Sequence, residues 1–328
     1  MANADQVKAL VKSHAEGDDT RFYSVALQVA ARAARNGQAR FAQDLRDLVD
    51  ELRKGAERTV SRPGTPIPMA QPRGDLAGLL SVSYPTTHMT DLVLGPEVRD
   101  KLQRVVVEQR QHDRLRAQGF RPLRRVLLIG PPGTGKTLSA SALAGELKLP
   151  LFVIRLDGLI TKYMGETAAK LRLVFDALAE TRGVYLFDEV DALGGERGRD
   201  NDVGEIRRVL NSFLQFLEQD GSDSLLIAAT NHPQLLDRAM FRRFDAVIQY
   251  PLPTAVVARD VIRNRLAAMR LGRIAWSQID SDAAGLSHAE ITLAAERAAK
   301  DAILAGDDAV GSARLLAALR ERHSRSGT

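Results

Sequence analysis

Residues 130–137 read Gly130-Pro131-Pro132-Gly133-Thr134-Gly135-Lys136-Thr137, and this stretch decides the fold. Its spacing is G-x-x-x-x-G-K-S/T. An apolar, β-branched run, Arg125–Ile129, stands before it, and a helical run, Thr137–Leu147, follows. Glycines let the backbone wrap an anion without a Cβ in the way, and successive N–H groups form a nest for phosphate. The start of the following helix adds positive potential at the same point. In such a loop the lysine reaches the β- and γ-phosphates and the adjacent hydroxyl faces Mg²⁺. Pro132, Gly133, Thr134, Gly135, Lys136, Thr137 and Leu138 are therefore expected to hold a nucleoside triphosphate, with Thr137 on the metal. A chance glycine-rich turn would lack the strand before and the helix after.

Outward from the loop, strand and helix patterns alternate. Leu151–Arg155, Val184–Asp188, Leu225–Thr230 and Ala246–Tyr250 are further short apolar runs, and Glu205–Glu218 reads as a helix between two of them. Strands alternating with helices predict an α/β domain over residues 81–252: a parallel five-stranded sheet with flanking helices. After Pro253 the pattern becomes helical, in Val256–Met269, Ala289–Ala305 and Gly311–Arg322, so residues 253–328 read as a C-terminal helical lid.

The third run ends in two adjacent carboxylates, Asp188 and Glu189. Asp188, at the C-terminal end of its strand, is placed to face Mg²⁺ through water. Glu189 beside it is placed to polarise an attacking water. Asp191 could instead cap the next turn. The following strand ends at Asn231, where a polar amide can orient that water. Taken alone, an Asp-Glu pair is a solvated strand end and an Asn is a turn residue. Their positions relative to the loop favour chemistry.

Upstream, residues 1–56 repeat apolar side chains at helical spacing (Phe22, Val25, Ala26 and Val29; Phe41, Leu45, Leu48 and Leu52) and read as a small all-α module. Residues 57–80 read as a Pro/Gly-rich linker, because Pro63, Pro66, Pro68 and Pro72 fit neither helix nor ladder. The 328-residue chain has no Cys, which excludes disulfides and thiolate zinc sites. It shows no signal peptide and no long apolar stretch, so no membrane insertion is expected and the cytoplasm is the expected location. A net charge of +5 at this length reads as an Arg-rich solvated surface. Nucleic acid is not expected, since no basic run is interleaved with aromatics.

From about Asp91 to Ser287 the chain resembles the AAA family of ATPases, on Gly130–Thr137, Leu186–Leu193 and Ile227–Asp245. The last segment, Ile-Ala-Ala-Thr-Asn-His-Pro-Gln-Leu-Leu-Asp-Arg-Ala-Met-Phe-Arg-Arg-Phe-Asp, is similar to that family's second region of homology. The resemblance implies ATP and Mg²⁺ as ligands, ATP hydrolysis, and a ring, usually a hexamer. It implies that Asn231 is the polar sensor and that Arg242 and Arg243 are arginine fingers reaching a neighbouring subunit's γ-phosphate. A guanidinium there neutralises charge developing on the transferring group. Many members separate the two arginines by Pro-Gly. Here they are consecutive, closer to katanin- and spastin-like severing ATPases. Gly285–Ile291 is similar to the lid motif, with His288 in place of its second glycine. The resemblance puts His288 and Ala289 near base and ribose, and Asp91 and Val93 at the adenine.

Lys162-Tyr163-Met164-Gly165-Glu166 follows the second strand of the alternating block, where the family carries a pore loop that grips polypeptide in the ring's channel. Local packing of Tyr163 is the bland alternative. The flexible, charged run Gly194–Asp200 reads as a second pore loop or a surface turn. The expectation is an ATP-dependent remodeller of a protein substrate, with the N-terminal module recruiting substrate or partner. Two alternatives stand beside it. One is an ATP-driven regulator of a separately encoded effector such as a protease, since the sequence has no His-Glu-x-x-His of its own. The other is a nucleic-acid-associated switch, which predicts steeply salt-dependent stimulation.

Overall fold

The computed structural model describes Ala30, Gln43 and Gly74 singly, then residues 76–159, 164–193 and 202–326. The chain divides into two compact units, Met1–Met69 and Ala70–Thr328, and the fold described is that of the second. Apart from Ala30 and Gln43, the helical module expected over 1–56 lies outside the described residues.

Six strands form the main sheet: β1 (Leu80–Ser83), β2 (Arg125–Ile129), β3 (Leu151–Ile154), β4 (Val184–Phe187), β5 (Leu225–Thr230) and β6 (Ala246–Gln249), in the order β1-β3-β4-β5-β2-β6. The five expected strands run parallel. The sixth, β1, is antiparallel to β3, with Leu80 opposite Ile154 and Ser83 opposite Leu151. Its presence corrects the reading of residues 57–80 as linker throughout. Leu76–Leu79 is a helical turn (α1) that runs directly into β1. The prolines dominate that stretch in sequence, yet Leu79 and Leu80 are only 3% and 4% exposed. Burying a leucine contributes roughly 1.5–3 kcal/mol, which sets the local structure here.

The remaining helices of this layer are α2 (Pro96–Arg110), α3 (His112–Ala117), α4 (Lys136–Leu147), α5 (Leu156–Leu159), α6 (Met164–Glu180), α7 (Asp202–Gln219) and α8 (Arg238–Phe241). They cover both sheet faces, so the strands are apolar along their whole length rather than alternating with polar residues. Period 2 sorts the side chains between two cores. Leu127, Phe152, Tyr185 and Phe187 share one core with residues of α6 and α7. Phe152 stacks on Tyr185 with centroids 4.5 Å apart, and Phe187 meets Phe213 edge-on at 5.1 Å. Val126, Leu128, Leu186 and Ile227 share the other core with Leu102 and Val105 of α2 and Leu143 of α4.

The lid comprises α9 (Ala255–Arg265), α10 (Trp276–Ala283), α11 (His288–Leu304) and α12 (Ser312–Ser326). A two-residue parallel pair, β7 (Arg270–Leu271) with β8 (Ala309–Val310), ties its loops together. Ala294, Ala298 and Ala302 fall on one face of α11 at helical spacing and are fully buried, which allows close approach of its neighbours. Ser287 caps α11: its Oγ accepts the Glu290 N–H at 3.3 Å, and the Glu290 carboxylate accepts the Ser287 N–H at 2.7 Å. This reciprocal pair satisfies two otherwise orphaned donors. Among the described residues no helix is long and apolar enough to cross a membrane.

Candidate active site

The phosphate loop joins β2 to α4. Gly133 and Gly135 adopt φ of 73° and 98°, a region that side-chain-bearing residues enter at a cost. Gly130 has a different reason to be glycine. A Cβ there would lie 2.3 Å from the Tyr250 carbonyl oxygen. Thr134 is fully buried and its hydroxyl donates to the Pro131 carbonyl at 2.8 Å, while Pro132 stays exposed on the rim. Lys136 is 6% exposed, and its ammonium donates to the carbonyls of Gly130 at 2.7 Å and Pro131 at 2.8 Å. Burial pushes the Lys136 pKa down, and the carboxylates of Asp188 and Asp191 oppose that shift. The cation is thus gathered into the loop with two carbonyls as its partners.

Strand order places the other groups around this loop. β5 lies between β4 and β2, so Asn231, just beyond β5, falls between the carboxylates that follow β4 and the phosphate loop that follows β2. Such C-terminal strand ends are where open α/β sheets bind ligands. The Thr137 hydroxyl donates to Asp188 Oδ2 at 2.7 Å. Two hard oxygen donors side by side, one of them a carboxylate, match what Mg²⁺ takes from a protein when phosphates complete its shell. Glu189 is exposed and has a φ of 52°, the left-handed region that a side-chain-bearing residue seldom occupies. Its N–H donates to Asp188 Oδ1 at 3.0 Å. A strained backbone at the residue expected to activate water is an observation that points to function.

A cleft of about 350 Å³ opens between loop and lid, lined among others by Asp91, Val93, Thr134, Leu138 and His288. Asp91, Val93 and His288, expected near the nucleoside, therefore share one cavity. Asp91 is also committed locally, its carboxylate accepting the His88 N–H at 2.7 Å. His288 has both ring nitrogens shielded from solvent and without a hydrogen-bond partner among the described residues, and burial pushes its pKa down. Ala289 is placed differently. Its N–H donates to the Gly133 carbonyl at 3.0 Å, so it latches the lid to the phosphate loop. Asn264 and Arg265, at the end of α9, and Thr292 also line the cleft. Their only signal in sequence is polarity in the last turn of α9 and one turn into α11.

The two consecutive arginines differ. Arg243 donates through Nη1 to the Ala239 carbonyl at 2.9 Å, and its Nε lies 2.7 Å from Glu218 Oε1, close enough to pair although not aligned as a hydrogen bond. Arg242 is exposed; its backbone N–H donates to the Met240 carbonyl, and its side chain makes no ion pair or hydrogen bond among the described residues. Asp245 anchors the segment that follows: its Oδ2 accepts the Arg124 and Arg125 N–H groups at 3.1 and 2.9 Å. Lys162 and Tyr163, and the run Gly194–Asp200, lie outside the described residues, while Met164 opens α6.

Comparison with known proteins identifies the family. A sequence model of the ATPase family associated with various cellular activities (AAA) matches residues 126–252. An uncharacterized AAA family ATPase, y4kL, of Sinorhizobium fredii is 34% identical over 93% of this chain and 90% of its own length. The ATP-dependent zinc metalloprotease FtsH 3 of Sphaerobacter thermophilus is 33% identical over 74% of this chain, and the match spans 51% of that protein. The 26S proteasome regulatory subunit 10B homolog A of Arabidopsis thaliana is 32% identical over 66% of this chain, spanning 56% of its own length. The crystal structure of the FIGL-1 AAA domain superposes with a TM-score of 0.59 at 26% identity, covering 74% of this chain and 85% of that one.

Proposed function

The chain belongs to the AAA family of ATPases and hydrolyses ATP, and from that premise we propose that hydrolysis drives work on a polypeptide threaded through a ring of these subunits. The observation that carries this reading is Lys162-Tyr163-Met164-Gly165-Glu166 at the entry to α6. An aromatic exposed to water is costly unless it contacts something. Two relatives named for protein degradation, the FtsH metalloprotease and the proteasome regulatory subunit, support it.

In this reading Lys136 exchanges its two loop carbonyls for the β- and γ-phosphates, and the loop N–H groups cradle the same anion. Thr137 and Asp188 hold Mg²⁺, which neutralises charge on the phosphates when bound. Glu189 takes up the proton of the attacking water and Asn231 orients that water. Arg242, exposed and unengaged, reaches the γ-phosphate held by the neighbouring subunit. Arg243 holds the finger segment through Ala239 and Glu218.

A Glu189→Gln variant loaded with ATP provides the test. It is expected to form a ring by mass measurement in solution and to capture fluorescently labelled, unfolded casein by anisotropy. Adding Tyr163→Ala should abolish capture while Tyr163→Ala alone keeps basal hydrolysis. Equal capture with and without Tyr163 would end the threading reading, and a monomer with ATP bound would end the ring.

A further inference from the structure

Thr230 is the last residue of β5 and 1% exposed. Its hydroxyl donates to Asp191 Oδ1 at 2.7 Å and accepts the His232 N–H at 2.9 Å. Its carbonyl accepts the Gly130 N–H at 3.3 Å. One buried residue thus touches the phosphate loop, the turn after β4 and the chain just beyond Asn231. Asn231 sits between Thr230 and His232, the two positions joined by that hydroxyl.

Asp191 lies on the 3₁₀ turn Val190–Leu193, directly after the left-handed Glu189. Ala192 N–H donates to the Glu189 carbonyl at 2.9 Å, so this turn carries Glu189 as one piece. An aspartate acting as a turn cap would accept from its own backbone two or three residues away. Asp191 Oδ1 instead accepts from a side chain 39 residues on, in the neighbouring strand. That bond crosses from the turn bearing the water-activating carboxylate to the strand end bearing the water-orienting amide.

The geometry points to Asp191 as a positioning residue for ATP hydrolysis: through Thr230 it clamps the Asn231 strand end to the Glu189 turn, so both groups facing the attacking water are set by one clasp. The inference rests on the roles given above to Glu189 and Asn231. In this inference Asp191 acts without contact to a reacting atom. Its effect is on the relative placement of two groups that do, and a misplacement of about 1 Å can cost about a hundredfold in rate.

Steady-state ATP hydrolysis tests it, with binding of a fluorescent ATP analogue as a check that each site is intact. Asp191→Ala and the isosteric Thr230→Val are each expected to lower kcat by about a hundredfold with KM and analogue affinity within about twofold of wild type. Asp191→Asn keeps an acceptor oxygen and Thr230→Ser keeps the hydroxyl, so both should stay within about threefold of wild type. Asp191→Asn as slow as Asp191→Ala would show that the negative charge near Lys136 matters rather than the clasp, and would overturn the inference. Asn231→Ala supplies the reference. If Asp191 acts through Asn231, the Asp191→Ala/Asn231→Ala double variant should be no more than about twofold slower than Asn231→Ala alone. Losses that multiply overturn the clasp while leaving the Asn231 reading in place. An Asn231→Ala variant with wild-type kcat removes that reading itself.

Discussion

Replacing Gly133 by alanine should release the lid from the phosphate loop. The residue has a φ of 73°, and a side-chain-bearing residue in that region costs about 1–2 kcal/mol. The new methyl would also lie 2.7 Å from Ser287 Oγ, closer than such atoms approach, and 3.1 Å from Ala289 Cβ, a contact tight enough that the neighbour must give. Ser287 and Ala289 flank the start of α11, and the capping box fixes that start, so the whole helix end must move. Moving it breaks the Ala289 N–H bond to the Gly133 carbonyl, worth about 0.5–1.5 kcal/mol net. With the lid displaced, the apo protein should lose about 1.5–3.5 kcal/mol in urea denaturation, the sum of backbone strain and the lost bond. Nucleotide must then re-close the lid against the methyl, and each 1.4 kcal/mol spent there is about tenfold in Kd, so at least about a tenfold loss in affinity is expected. Gly221→Ala, where a methyl meets open space, serves as the control and should be near neutral. Ser287→Ala removes the nearest clash, so the double variant should be more stable than additivity predicts by about 1 kcal/mol. Gly133→Ala with a wild-type unfolding midpoint and wild-type nucleotide affinity would refute the lid–loop contact itself.

Lys136→Met removes a buried ammonium whose partners are two carbonyls, so apo stability should hold or rise while nucleotide affinity falls at least about a hundredfold. Thermal unfolding checks both, since ATP should raise the wild-type midpoint and leave the variant's unmoved. Arg243→Ala should destabilise the protein by about 1 kcal/mol through loss of its bond to the Ala239 carbonyl. Arg242→Ala should leave monomer stability unchanged yet lose turnover, with activity partly restored on mixing with Glu189→Gln subunits. His288 titrates below its ordinary value of 6.5 because burial disfavours the imidazolium. The unfolded chain therefore binds the proton first. The stabilising effect of the neutral ring is complete above about pH 6.5 and declines as pH falls toward the folded-state pKa. Urea denaturation at pH 7.5 and 5.5 should show a smaller acid loss in His288→Gln than in wild type.

The parts of this molecule legible in sequence are those whose physics is local. Gly130–Thr137 announces a phosphate loop because glycine freedom, helix start and preceding strand all act within a few residues, and the structure sets them between β2 and α4. The parallel strands are legible for a similar reason, since burial on both faces makes each a continuous apolar run. Strand β1 was hidden because four residues carry little pattern, and two buried leucines outweigh the prolines upstream. The difference between Arg242 and Arg243 was equally hidden, for it depends on Glu218, which arrives from α7.

What sequence spacing could not show is how the site's pieces are joined. Gly133 reads as one glycine among several, yet its carbonyl receives the lid's first turn and its missing Cβ makes room for Ser287. Thr230 reads as an ordinary strand end, yet its hydroxyl and carbonyl reach three segments of the site. Each is a contact between residues far apart in the chain, so no local pattern marks it. Motifs locate the groups that meet ATP, and the long-range hydrogen bonds at Gly133 and Thr230 hold those groups at working distances. The lid latch should therefore govern nucleotide affinity and the Asp191–Thr230 clasp turnover, two effects that separate in Kd and kcat.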